Sequence, residues 1–89
     1  MYYDVIKLKY IKDYILDVEF ENGKKGRIDL KRYSQKGGIF SELSDISFFR
    51  KVYINKELGV ITWPNGLDIA PESIYHQATG EPFPAWMEL

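Results

Sequence analysis

The chain has 89 residues, no cysteine and a formal net charge of -1, which fits one domain at the small end of what a single hydrophobic core holds together. Without cysteine there is neither a disulfide framework nor a thiolate metal site, so zinc fingers are excluded and a reducing compartment is compatible. The near-neutral balance excludes the strongly basic character of a dedicated nucleic-acid binder, yet residues 1–36 hold nine Lys/Arg against six Asp/Glu and residues 37–89 three against seven, a polarity able to separate a basic from an acidic face.

Ile6, Leu8 and Tyr10 alternate with Lys7 and Lys9, the period-two pattern of a half-buried strand, and predict a first strand over 4–11. Lys12-Asp13 turns the chain. Leu16, Val18 and Phe20 then alternate with Asp17, Glu19 and Glu21 as a second strand, and Asn22-Gly23 supplies the residues of a type I′ turn into a third. On that return arm Ile28 and Leu30 face inward and Arg27, Asp29 and Lys31 outward, so Glu19 and Glu21 are placed to pair with Lys25 or Arg27.

From Arg32 to Gly38 the pattern dissolves into a loop. Gly37-Gly38 lacks the spacing of a P-loop or a dinucleotide fingerprint and reads as a hinge. Ile39, Phe40, Leu43, Ile46, Phe48 and Phe49 follow at helical spacing, broken by Ser44-Asp45 as a cap, which predicts two short helices over 40–44 and 46–50 closing the core beneath the hairpin. Val52-Tyr53-Ile54 and residues 60–63 form a second hairpin. Pro64 ends the ladder because it has no N–H, Asn65-Gly66 reverses the chain, and residues 67–69 make a short strand. Pro71 opens a helix over 71–79, with Ile74, Tyr75 and Ala78 as its apolar stripe and Gly80 as its stop. The fold class is therefore α+β: small antiparallel hairpins or sheets, two short central helices and one C-terminal helix, in a single domain over 1–89 with a core over 1–80 and a Pro/aromatic extension over 81–89. That extension is too apolar for an idle tail and is expected to pack on something.

No catalytic or cofactor-binding constellation stands out, and the expectation is a protein that is not an enzyme and carries no cofactor and no metal. His76 has Glu72 one helical turn before it but no nucleophile, and a ligand or metal site from Asp68, Glu72 and His76 lacks diagnostic spacing. Asp68, just past the turn and before a helix, is expected to cap free backbone N–H groups. Nucleic-acid binding is an alternative through a basic 7–36 surface, with Lys24, Lys25, Arg27 and Lys31 as contacts and Tyr2, Tyr3, Tyr10 and Tyr33 nearby; carboxylates interleave the same strands and no recognition helix is present. A protein-binding module fits the small size, edge strands and Tyr/Trp-rich composition better. No apolar run approaches the roughly 18 to 20 residues of a membrane span. Asp4 and Lys7 interrupt the N-terminal apolar residues, unlike a signal peptide, and the protein is expected to be cytoplasmic.

Residues 60–75, Val-Ile-Thr-Trp-Pro-Asn-Gly-Leu-Asp-Ile-Ala-Pro-Glu-Ser-Ile-Tyr, resemble the signature of a bacterial family catalogued as domain of unknown function 2442, with the pattern Trp-Pro-Asn-Gly-x-Asp and a following Pro and Tyr. The resemblance extends to residues 18–23, Asp29-Leu30, residues 39–43 and Phe49, nearly the whole chain, and is weakest after Gly80. It marks Trp63, Pro64, Asn65, Gly66, Asp68, Pro71 and Tyr75 as family-motif or partner-binding residues. It implies an α+β domain similar to the N-terminal domain of a Nitrosomonas protein. It further implies an antitoxin role in a toxin–antitoxin pair, the partner being a small cognate toxin of the domain of unknown function 4160 family. A homodimer is compatible with the same features.

Overall fold

A computed structural model describes residues 3–80; Tyr2 and the 81–89 extension lie outside the described residues. Strands β1 (Val5–Lys12), β2 (Ile15–Phe20) and β3 (Lys25–Asp29) form an antiparallel sheet in the order β1-β2-β3. A helical turn α1 (Lys31–Ser34), a 3-10 segment Gly38–Ser44 and a second short helix α2 (Ile46–Phe49) lead to β4 (Tyr53–Asn55), β5 (Val60–Thr62) and β6 (Asp68–Ile69), a second antiparallel sheet in the order β4-β5-β6. Helix α3 (Pro71–Thr79) closes the described chain. The class is α+β, as the periodicities require.

The strongest alternation gives the firmest strand. Leu16, Val18 and Phe20 are buried on one face of β2, and Ile28 and Leu30 continue that face on the return arm. In β1 the phase differs from expectation. A register irregularity between Val5 and Lys7 sends Val5 into the core and leaves Ile6 49 % exposed, while Leu8 and Tyr10 remain on the core side opposite Val18 and Leu16. A bulged residue shifts the side-chain period by one, and the apolar count alone does not reveal it.

The Asn22-Gly23 turn also differs from the expected type I′ geometry, which needs two successive left-handed residues; Asn22 is not left-handed and Gly23 is, at φ 88°. Glu21, Asn22 and Gly23 form a three-residue loop. The Gly23 N–H donates to the Phe20 carbonyl (2.9 Å), the Phe20 N–H to the Lys24 carbonyl (2.8 Å), and the Asn22 carboxamide oxygen accepts from the Lys24 N–H (3.0 Å).

Part of the expected 32–38 loop is helical. The Asp29 carboxylate accepts from the Lys31 N–H (2.9 Å) and the Tyr33 N–H donates to the carbonyl of buried Leu30 (2.9 Å), which winds α1 before Gly37 and Gly38 reopen the chain at φ 72° and 57°. The first of the two central helices is 3-10 over Gly38–Ser44, and the second is capped by Asp45, whose carboxylate accepts from the Ser47 N–H (2.9 Å). Phe49 is fully buried against Tyr14 (4.8 Å between ring centroids) and Trp63 (5.8 Å). Ile39 and Ile46, expected in that core face, are 74 % and 37 % exposed.

The core is one cluster drawn from both sheets and α3. All three residues of β5 are buried, as suits a central strand covered on both faces. Helix α3 lies against sheet one, where a Cβ on Gly26 would run into the Ala78 carbonyl. It begins with Pro71 in its first turn and ends at Gly80, left-handed at φ 75°, whose N–H reaches the His76 carbonyl (2.9 Å).

Candidate functional site

Two surfaces gather the residues singled out in the sequence. The first is the turn after β5. Trp63 is fully buried and its indole N–H donates to the Phe49 carbonyl (3.0 Å), so the ring fixes α2 to the second sheet. The Trp63 N–H donates to the Leu67 carbonyl (2.8 Å), the Gly66 N–H to the Trp63 carbonyl (2.9 Å), and the Asn65 carboxamide oxygen accepts from the Leu67 N–H (2.9 Å). Gly66 is left-handed at φ 88°. Bond for bond this repeats the loop after Phe20, an aromatic residue followed by x-Asn-Gly, with Pro64 standing where Glu21 stands.

Asp68 does not cap. It is exposed, its carboxylate makes no hydrogen bond or ion pair among the described residues, and α3 begins without a side-chain cap. The capping expected of Asp68 is performed by Asn65, because the backbone N–H left over by the turn belongs to Leu67, within reach of residue 65 and behind residue 68. The Asn65 amide N–H₂ also donates to Glu42 (3.1 Å). Around this contact Ile39, Glu42, Leu67 and Asp68 line an open depression of about 420 Å³.

Pro71 and Tyr75 are buried and serve the fold. The Tyr75 ring meets Phe20 edge-on (4.9 Å) and Tyr3 (4.6 Å), and its hydroxyl accepts from the Asn22 amide (3.1 Å), which ties α3 to the first Asn-Gly loop. Trp63, Pro71 and Tyr75 therefore point inward, while Pro64, Asn65, Gly66 and Asp68 reach the surface. Asp68, Glu72 and His76 form no metal-holding group, and no cluster of three or more potential ligands of this kind occurs among the described residues. No helix among the described residues is long and apolar enough to cross a membrane.

The second surface is the outer face of sheet one, an open groove of about 760 Å³. Register places Lys7, Glu19 and Lys25 in one row across the strands, and Lys9, Asp17 and Arg27 in the next. Each carboxylate thus lies between two cations, and two positive charges remain uncompensated. Arg27 donates to Asp17 through two nitrogens (2.8 and 3.2 Å). That hydrogen bond, then its charge and that of Lys9, holds the Asp17 carboxyl below its ordinary pKa, while Asp17 raises that of Arg27. Of the expected cross-strand partners, the register sets Glu19 opposite Lys25, while Arg27 faces Asp17 rather than Glu19 or Glu21. At one end of the groove the bulged Ile6 adjoins Ile54 of β4.

Of the four cations named for nucleic-acid contact, Lys25 and Arg27 share this groove. Lys24 sits in the loop above, and Lys31 lines a separate depression with Asp13 and Asp29. The four do not make one basic face. Ile6 and Ile54 were not expected at a surface site: the bulge that exposes Ile6 has no marker in its residue types, and the placing of β4 beside β1 is a tertiary fact.

The fold and these surfaces define a small two-sheet α+β domain with a buried aromatic anchor beneath an exposed Asn-Gly turn. Its sequence matches the model of the family described as "Protein of unknown function (DUF2442)" over residues 5–80, and the chain belongs to that family. No curated protein and no solved structure matches it.

Proposed function

We propose that this domain is a non-enzymatic protein-binding module, the antitoxin member of a bacterial toxin–antitoxin pair that binds a small cognate toxin in the cytoplasm. The observation that supports protein binding is the outer groove of sheet one, where exposed Ile6 and half-buried Ile54 line the same groove as charges of both signs. Apolar contact rimmed by polar groups suits a protein partner. The antitoxin role rests on the family resemblance, in which such genes neighbour one for a protein of the domain of unknown function 4160 family.

Co-expression with the product of the neighbouring gene is expected to give one complex on gel filtration and to relieve any growth arrest that product causes alone. Two proteins eluting separately, with arrest unrelieved, would overturn the reading. Nucleic-acid binding is the second reading, favoured by Lys7, Lys9, Lys25 and Arg27 on one face. Asp17 and Glu19 between them leave only two net positive charges on this face, few for a phosphate backbone, and absence of oligonucleotide binding at low salt would remove it.

A further inference from the structure

The outer face of sheet one has a geometry that specifies its occupant more closely than protein binding in general. Arg27 is committed to Asp17. Lys7 and Lys9, next to Ile6 on β1, point to the same side and stand two residues apart, about 6.8 Å along a strand. An extended polypeptide laid along β1 presents alternate side chains at that same step. Two carboxylates at positions i and i+2 of such a segment would meet Lys7 and Lys9 together, and an aliphatic side chain beyond them would cover Ile6 and Ile54. A phosphate backbone gains nothing from the isoleucines at the end of the groove, whereas a polypeptide can place an aliphatic side chain there, so the face favours a polypeptide over a nucleic acid.

We infer that the groove over β1 to β3 docks an extended acidic segment of a partner protein, carrying carboxylates two residues apart and an aliphatic anchor next to them. The inference rests on the protein-binding reading and adds the partner's chemistry. Charge complementarity carries it: two uncompensated positive charges lie in a groove whose apolar end is open to solvent.

The test is a titration of the isotope-labelled protein with a short synthetic peptide bearing leucine followed by glutamate at every second position, with serine between. A control peptide has lysine for glutamate, and an oligothymidylate of similar length is a third probe. With the acidic peptide, amide shifts should concentrate in residues 5–9, 17–19, 25–27 and 53–55, and binding should weaken about tenfold when salt rises from about 20 to 200 mM. The exposed-site variants Lys7→Glu/Lys9→Glu and Ile6→Ser, whose spectra report directly that the fold is kept, should each weaken it, the first by at least about tenfold. The inference is overturned if the lysine peptide binds as well as the acidic one, if the oligothymidylate binds more tightly, if the shifts fall elsewhere, or if no peptide binds. Failure here is distinguishable from failure of the broader reading: a complex with the neighbouring gene product that survives Lys7→Glu/Lys9→Glu would keep protein binding and discard this surface.

Discussion

In the turn after Trp63 the Asn65 carboxamide accepts from the Leu67 N–H and donates to Glu42, while the Asp68 carboxylate, three residues on, is exposed and bonds nothing among the described residues. Removing Asn65 leaves a turn N–H with only water. Asn65→Ala is therefore expected to lower stability by about 1 kcal/mol, about 4 to 8 °C in melting temperature for a domain of this size. Asp68→Ala and Asp68→Asn should both stay within about 0.5 kcal/mol of the parent, as exposed substitutions without partners do. Thermal melts of the three variants decide between the residues: an Asp68→Ala loss as large as that of Asn65→Ala would return the structural role to the carboxylate.

Elements were legible in the sequence wherever pattern and punctuation agreed. Helix α3 begins and ends where Pro71 and Gly80 place it, and the β2–β3 hairpin carries its buried residues on the expected face. The failures have specific causes. The bulge at Ile6 reverses part of β1, the turn of α1 is wound by a bond from Lys31 to Asp29 two residues earlier, and the 3-10 segment leaves Ile39 exposed because its three-fold period turns apolar positions off the core side. The candidate surfaces were less legible than the elements: Lys25 and Arg27 could be paired by alternation, but which carboxylate faces which cation depends on register, and Glu42 beside Asn65 is a contact over 23 positions. Close approach between elements has its own signal in Gly26, where the missing Cβ lets the Ala78 backbone of α3 come against β3. Gly26→Ala should destabilise by about 1 to 3 kcal/mol, because the added methyl meets backbone that has no rotamer to change. A denaturant midpoint unchanged from the parent would mean that α3 shifts freely along the sheet.

The two sheets share one core, and among the described residues the backbone hydrogen bonds that join them converge on a single peptide group. The Asp4 carbonyl accepts from the Glu21 N–H (2.9 Å), in the first Asn-Gly loop, and the Val5 N–H of the same group donates to the Gly59 carbonyl (2.9 Å), in the turn of the second sheet. Gly59 is left-handed at φ 68°, and a side chain there would strike Asp4, so the junction admits little change. The same junction explains why the two Asn-Gly loops differ at their second position: Pro64 has no N–H to give, whereas that of Glu21 is in use.

A bond that two sheets hold in common is also a clock for their parting. Were the sheets to open one at a time, the Val5 amide would be released by the looser of them, ahead of amides inside β2; were they to open only together, it would wait for the whole domain. The shared core predicts the second behaviour, with Val5 and Val18 amides exchanging with deuterium at matched opening free energies. A gap above about 1.4 kcal/mol, a tenfold difference in the opening equilibrium, would divide this chain of 89 residues into two cooperative units and make one sheet able to let go of a partner while the other stays folded.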